Sequence, residues 1–455
     1  IKGRRLMSKN LFAEAGREIP VAGEYDVIVC GGGTSGVPAA IAAARQGAKV
    51  ALIERYGFLG GVPAYCIMPA WHGIIMHNSG ILTEFARRVV EMGSRPDPMK
   101  NNHMEPEYVK QLALEMVLEA GVELHLHTMT VDTIKEGNAV KGVITESKSG
   151  RRAFLAKVVV DATADGDAAF FAGAEYLKGR EDGVVQGMSL RFRVGNIDFN
   201  KYFAWAEQHQ EYYPTVGKEK FEQIKEAAKN NQDFFMQGDF TELYKEYNDD
   251  DLPLGSYFNV SCIRPNELSI NGTRIHGVDG TVEEDLTKAE VKCRKQAHAL
   301  WRLLRDKIPG FENSTIIETA PQIGVRETRC IKGDYVLTEA DCRAYAKFDD
   351  AVLTSRVAFD IHDPVYVLEI LPGLVDVPYR CFLPKGLDNI IVVGRALSCD
   401  HVAISTVRRM ESVFQIGEVG GTAAAMAAER NVAPRNLPVQ ELKDELVKNG
   451  VKTQQ

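Results

Sequence analysis

The chain has 455 residues, 45% hydrophobic and 25% charged, with 54 basic against 62 acidic side chains and a net charge of −8. These proportions exclude disorder, collagen and coiled coil. Without a long run of Lys and Arg, they also argue against a nucleic-acid groove or an anionic membrane surface as partner. Eight cysteines (Cys30, Cys66, Cys262, Cys293, Cys330, Cys342, Cys381 and Cys399) form no Cys-x-x-Cys pair and read as reduced thiols of a cytoplasmic protein. The basic N-terminus lacks the apolar run of a signal peptide, and Gly, Pro, His and Asn interrupt the uncharged stretch 57–83, so no membrane span is expected.

The first informative segment is YDVIVCGGGTSGVPAAIAAARQGAKVALIE, residues 25–54. An apolar β-type run to Cys30 meets a glycine-rich turn. An Ala-rich helix follows to about Gln46, where Gly47 stops it, and a second strand ends in the acid Glu54. Gly31, Gly33 and Gly36 occupy the G-x-G-x-x-G positions of a dinucleotide fingerprint, with Thr34 and Ser35 between them. The first glycine makes the tight turn, the second admits backbone to the pyrophosphate, and the third packs helix against strand. The helix N-terminus would then face phosphate with free N–H groups. Glu54, 18 residues after Gly36, is spaced to accept hydrogen bonds from a ribose diol. The following ERYGFLGG carries Arg55 and the pair Gly60-Gly61, which let backbone pass close to a bulky ligand.

Further along, 105–120 has helical spacing closed by Gly121, and 122–127 alternates as a strand, with His125 and His127 on its polar face. A hairpin turns at 136–138, and Lys157–Asp161 is a buried strand. Residues 200–251 read as helices with polar faces, 258–277 as strands and 282–308 as an amphipathic helix. The nucleotide-fold pattern returns at 388–398, a strand ending at Gly394, and at 405–430, a helix rich in small residues that permit close approach to a sheet or cofactor. The expected architecture is therefore α/β. A Rossmann-like domain, discontinuous in sequence (20–190 and 380–435), carries an inserted α+β substrate or cap domain (191–379), with terminal extensions 1–19 and 436–455.

Taken together, these motifs resemble the FAD-dependent oxidoreductases with a glutathione-reductase-type FAD fold. The resemblance runs through REIPVAGEYDVIVCGGGTSGVPAA, ERYGFLGG, EAGVELHLHT and VVVDATADGDAAFFAGA. It resumes at IGVRETRCIKGDYVLTEADC, DIHD and NIIVVGRALSCDHVAISTVRRMESVFQIGEVGGTAAAMA. It implies FAD as cofactor, with Gly31, Gly33, Gly36 and Glu54 on its ADP half and Gly60 and Gly61 passing close to it. It also implies Val131 near the adenine through its main chain, and Gly394 and Arg395 near the pyrophosphate and ribityl chain. Arg55, beside the acid, and Ala162, at the end of the middle strand, complete the expected set. Two departures stand out: Ala162-Thr163-Ala164 replaces Ala-Thr-Gly, and Val62-Pro63-Ala64 follows the Gly-Gly pair where Met-Ala-Thr is more usual.

A flavin supplies the redox chemistry, and the protein supplies position and electrostatics. A dithiol reductase would carry two neighbouring cysteines soon after the first motif, where only Cys66 stands, and a second nucleotide fingerprint. An aromatic hydroxylase of the resembling kind would carry Gly-Asp where this chain has Gly394-Arg395. The expected reaction is hydride exchange between flavin N5 and a small alcohol, amine or carboxylate-bearing substrate. A flavin-dependent double-bond reductase and a flavin-bound sensor without turnover are the alternatives. His401, then His72, are the candidate proton-transfer groups, Arg408 the candidate cation, and Arg326 and Arg329 further substrate-side cations or interface ion pairs. No metal is expected from His72, His77 and His103, which lack acid partners at fixed spacing. The expected partner is a small molecule, and homo-oligomerisation stays open.

Overall fold

Strand β1 (Val21–Cys30) is buried on both faces over Val27–Cys30, as befits the centre of a parallel sheet. It leads through the glycine turn into α1 (Gly36–Arg45), whose small side chains are almost all buried. Pro38 lies in the first turn of α1, where its missing N–H costs no helical bond. The chain then adds β2 (Val50–Ile53), β3 (Glu123–His125), β4 (Met129–Glu136), β5 (Ala139–Glu146) and β6 (Arg152–Asp161). The computed structural model describes residues 16–71, 80–94, 97–98, 103–253 and 258–453.

The large sheet has the order β3-β2-β1-β6-β5-β4. β6 changes partner along its length. Its first half pairs antiparallel with β5, and its second half pairs parallel with the late strand Ile390–Val392, Val159 opposite Ile390. Residues separated by 231 positions thus share one sheet, as the recurrence of the nucleotide pattern predicts. The parallel strands end on one edge, at Cys30, Ile53, His125, Asp161 and Val392. In open α/β sheets, ligands bind outside that edge.

The helix Met410–Arg430 is buried along nearly its whole length. Two of its glycines, Gly417 and Gly421, meet the start of α1, and the third, Gly420, faces Val393. A Cβ on Gly417 would lie 2.0 Å from the Ser35 carbonyl oxygen, and one on Gly421 would lie 2.1 Å from that of Ala39. Helix and α1 therefore touch backbone to backbone. The small residues at 405–430 are interrupted at Arg408 and Arg409, which separate a short helix (Ile404–Val407) from the long one.

A second sheet of five strands has the order Thr315–Thr319, Phe192–Gly195, Leu268–Asn271, Phe258–Cys262, Phe234–Gly238. An aromatic core lies beneath it, with Phe192, Tyr202, Phe240 and Phe311 fully buried. A long hairpin (Ala351–His362 and Tyr366–Pro378) packs its apolar face into the core that also holds α1 and the late helix. A small apolar cluster of Ile67, Met188, Leu190, Ile323 and Val325 ties the five-stranded sheet to the loop that follows Gly61. Among the described residues, no helix is long and apolar enough to cross a membrane.

Gly421→Ala would force a methyl into a backbone carbonyl. Overpacking of this kind costs about 1–3 kcal/mol, so the variant is expected to show a clearly lower Tm by calorimetry. An unchanged Tm would mean that the two helices do not touch at this point.

Candidate active site

The glycine turn separates two reasons for a missing side chain. Gly31 (φ 102°) would put a Cβ 2.4 Å from the Ala162 carbonyl oxygen, and Gly36 would put one 1.7 Å from the Gly31 carbonyl oxygen. Both are required by the protein's own packing. Gly33 is different: its Cβ would meet only the Gly61 Cα, at 3.7 Å, an ordinary contact. Its bare backbone has no purpose within the protein and leaves room for a ligand against the turn. Gly61 (φ 68°) seals the turn from the other side, since a Cβ there would lie 2.5 Å from the Thr34 amide nitrogen. The Thr34 hydroxyl donates to the Gly60 carbonyl at 3.2 Å, and Gly60 N–H donates to Gly32 O at 3.0 Å. Ser35 lies beneath Gly394 (φ 81°), whose Cβ would come within 2.8 Å of its hydroxyl.

Glu54, at the end of β2, accepts hydrogen bonds from the Gly32 amide at 2.6 Å and the Tyr56 amide at 2.8 Å. Burial pushes its carboxyl above its ordinary value, and those two N–H groups oppose the rise. The acid thus shapes the turn as well as facing the place expected for a ribose. Val131 occupies a register shift between Thr130 and Asp132 in β4, which leaves its main chain outside the ladder. Ala162 donates its amide to Cys30 O at 2.9 Å, closing the gap between β1 and β6.

Ala164, where the family pattern has glycine, sits at φ 71°. A Cβ on left-handed backbone costs about 1–2 kcal/mol, so the departure seen in the sequence appears as local strain. Next to it, Asp165 accepts from Arg395 Nη2 at 2.6 Å and from the Thr328 hydroxyl at 2.7 Å. Arg395 also donates to Val325 O at 3.0 Å and meets the Tyr65 hydroxyl. Burial opposes its charge, but Asp165 and Tyr65 hold the guanidinium above its ordinary value. Its Nε–H is buried without a partner. Arg55 reaches across to Gln322 Oε1 at 3.2 Å. Arg329 is a structural ion pair, bonded to Asp167 at 2.8 Å and lying 4.1 Å over the Phe170 ring.

Past the segment 61–66, most of which is the short helix Val62–Tyr65, the chain assembles a second group. His401 Nδ1 is 2.9 Å from Glu327, and its Nε2 is 3.3 Å from Asp363. Burial opposes protonation, but the two carboxylates together raise the ring above its ordinary value. Arg180 donates to the same Asp363 oxygen at 3.0 Å. Gln186 links this group to Arg408: its N–H donates to Glu327 at 3.0 Å, and its Oε1 accepts from Arg408 Nη2 at 3.2 Å. Arg326 donates to Gly187 O at 2.7 Å and to the Ser189 hydroxyl at 2.8 Å. Cys66 lies among Arg191, Arg326 and Gly324, and burial pushes its thiol up. Ile67 beside it holds φ 45°, a strained conformation for a β-branched residue.

The structure therefore brings together His401, Arg408 and Arg326, and separates Arg329 from them. His72 and His77 lie outside the described residues. His103 pairs with Asp233 at 2.8 Å, and among the described residues no group of three or more His, Cys, Asp or Glu converges on one point. Glu327, Asp363, Gln186, Asp165 and Tyr65 escaped the sequence reading. Glu327 and Asp363 had a signal, as polar residues embedded in GVRETR and DIHD, whereas Gln186, Asp165 and Tyr65 lie outside both segments. Cys330 and Cys399, remote in sequence, bring their sulfurs to 3.8 Å with both side chains buried.

The orphaned Arg395 Nε, the open face of Gly33 and the freed main chain of Val131 fit an elongated dinucleotide along the sheet edge. Comparison with known proteins agrees. The model of the FAD dependent oxidoreductase family matches residues 26–446, and the chain belongs to that family. Thiamine thiazole synthase of Methanothermobacter thermautotrophicus is 28% identical over 209 residues, which is 42% of this chain and 76% of that protein. Among solved structures, the flavin-dependent brominase Bmp2 matches with TM-score 0.50 and 15% identity, covering 93% of this chain and 84% of the brominase. The myxobacterial chondrochloren halogenase CndH matches with TM-score 0.50 and 14% identity over 93% of this chain and 78% of its own. These structural likenesses speak for the fold. The protein is an FAD-dependent oxidoreductase, and FAD is its cofactor.

Three outcomes test the site. Gly33→Val would fill the open face, and the purified variant is expected to lose FAD while Gly33→Ala loses less; full FAD content in the valine variant would remove the turn from the cofactor. Ala164→Gly relieves a left-handed alanine and is expected to stabilise the protein by about 1 kcal/mol, seen as a higher Tm. For His401, the folded ring is raised above its ordinary 6.5. Its stabilisation is therefore complete below that value and lost as pH rises through the folded one. Glu327 and Asp363, with Arg180 behind and Arg408 near Glu327, are the charged groups that face it. His401→Asn should lower Tm more at about pH 6 than at about pH 9. Equal losses at both would mean that the ring is neutral.

Proposed function

We propose that the enzyme exchanges hydride between FAD and a small polar organic substrate, an alcohol or an amine. When bound, FAD would accept or donate the hydride at N5. Gly31, Gly33, Gly36, Glu54 and Val131 would hold its ADP half, and Gly60, Gly61, Gly394 and Arg395 would lie beside its remainder. The observation that carries the reading is the continuity of the polar network His401–Glu327–Gln186–Arg408 with Arg326 and, through Cys66, with the loop that follows Gly61.

In that network His401 holds a proton at Nε2 against Asp363 Oδ2, and at Nδ1 against Glu327. Loss of hydride from an alcohol or amine leaves a proton to be taken up, and return of hydride requires one to be supplied. Asp363, whose Oδ1 is buried without a partner, would take that proton as hydride leaves, and the His401 ring, protonated at both nitrogens, would supply one as hydride returns. Arg408 and Arg326 orient the polar end of the substrate. The small apolar cluster around Ile67, Met188 and Ile323 keeps bulk water from that side. The raised thiols of Cys66 and Cys399 argue for redox exchange without thiolate attack.

The test is anaerobic mixing of the holoenzyme with pools of small alcohols and amines, read at the flavin absorbance band. At least one pool should bleach the flavin. His401→Asn should slow that bleaching by about 10²- to 10⁴-fold while retaining FAD. A flavin that no pool reduces, or that reduces at the parent rate in the variant, would contradict the reading.

A further inference from the structure

We propose that Arg274, Arg326 and Arg408 form a binding site for an organic carboxylate, so that the substrate is an anionic alcohol or amine. The inference rests on the hydride-exchange reading for its role, but the carboxylate site can be tested apart from it.

The three guanidinium groups come from separate parts of the chain. Arg274 follows the strand Leu268–Asn271, Arg326 follows Thr315–Thr319, and Arg408 ends the short helix Ile404–Val407. Isolated bridges between Met188 and Ile275 and between Ser189 and Gly324 draw these segments together. The three guanidinium groups lie close enough to lower one another, and each residue keeps some contact with solvent rather than being sealed in the core.

Their partners are mostly neutral. Arg274 Nη1 lies 2.6 Å from His362 Nδ1, a ring that burial and the neighbouring arginines hold well below its ordinary value and hence uncharged. Arg326 bonds a carbonyl and a hydroxyl. Among the described residues, neither Arg274 nor Arg326 has an ion-pair partner within 4.0 Å. Arg408 Nη2 donates to the Asp360 carbonyl at 2.5 Å and stands 3.7 Å from that residue's carboxylate. That carboxylate is already shared by His362 Nε2 at 3.1 Å and the Tyr366 hydroxyl at 2.9 Å. Asp360 is thus the one carboxylate that all three guanidinium groups share, with Glu327 facing Arg408 as well.

Buried cations in this state are unfavourable until an anion arrives. Burial and mutual repulsion push Arg326 well below its ordinary value and Arg274 down to about 10. The network is also rich in donors without acceptors: Arg408 Nε and Gln186 Nε2 are buried and unpartnered, and Gln186 is 1% exposed. His276 Nδ1 is a third buried atom without a partner. Gly187 packs its bare backbone against this group, since a Cβ there would meet the His276 ring at 2.7 Å and Arg274 Cδ at 3.0 Å. A planar carboxylate accepts up to four hydrogen bonds and matches the guanidinium fork. It is therefore the anion that this donor set fits.

The probe is malonate, titrated calorimetrically into the holoenzyme beside malonamide and sulfate. Malonate is expected to bind saturably and malonamide not at all, with sulfate at least about tenfold weaker. Arg326→Gln and, separately, Arg274→Gln should weaken malonate by about 10- to 150-fold, the range for charged hydrogen bonds, with FAD content unchanged. Malonamide binding as well as malonate, or sulfate matching it, would overturn the carboxylate site. So would loss of FAD from a folded Arg326→Gln, which would assign the cations to the cofactor. Should both variants fail to fold, the malonate–malonamide comparison on the parent protein still decides. Malonate binding in a protein whose flavin no alcohol or amine reduces would uphold the site and remove the hydride reading.

Discussion

The contact of Gly36 with the Gly31 carbonyl, and of Gly31 with the Ala162 carbonyl, is the constraint from which the remaining geometry follows. It lets α1 begin immediately above the ends of β1 and β6, and within its first turn Val37 N–H already donates to Gly33 O and Ala39 N–H to Ser35 O. The same closeness is repeated one layer further out, where Gly417 and Gly421 press the late helix onto Ser35 and Ala39. That helix in turn holds the strand Ile390–Val392 and the Gly394 turn over Ser35. A single steric requirement, backbone against backbone, thus joins two stretches of chain far apart in sequence into one cofactor edge.

Charge is divided along that edge. At the end held by Glu54 the acid is satisfied by main-chain N–H groups, and no strong cation is needed. Around Arg395 an Asp165 carboxylate fixes the guanidinium in place. Beyond the segment 61–66 the balance turns: Arg274, Arg326, Arg408 and His401, whose ring is raised above its ordinary value, face Glu327, Asp360 and Asp363, two of which His401 occupies. This is the arrangement that the proposed proton transfer at His401 and the proposed carboxylate site require.

The glycine fingerprint, Glu54, the 129–146 hairpin and the late strand and helix were legible because each depends on local spacing. The period of apolar residues and the glycine positions carry the information themselves. The strand Phe234–Gly238 lies among segments that read as helices, and its pairing with Phe258–Cys262 is a tertiary matter. The long hairpin 351–378 was equally hidden, since its second strand alternates irregularly and the pairing of the two strands shifts register twice. His401, Arg408 and Arg326 were singled out from the sequence, but Glu327, Asp363, Gln186 and Arg274 were not. Nothing in local spacing brings Gln186 to Arg408 or Arg274 to His362. Those meetings depend on how the five-stranded sheet leans against the hairpin. The Cys330–Cys399 approach was invisible for the same reason.

The most direct measurement is a crystal structure of the protein purified with its flavin and soaked with malonate. The account predicts density for the pyrophosphate against Gly33, for the isoalloxazine on the side of Cys66, Gly324 and Arg395, and for a carboxylate among Arg274, Arg326 and Arg408. Pyrophosphate density away from the Gly31–Gly36 turn, or an isoalloxazine remote from the His401 network, would contradict it.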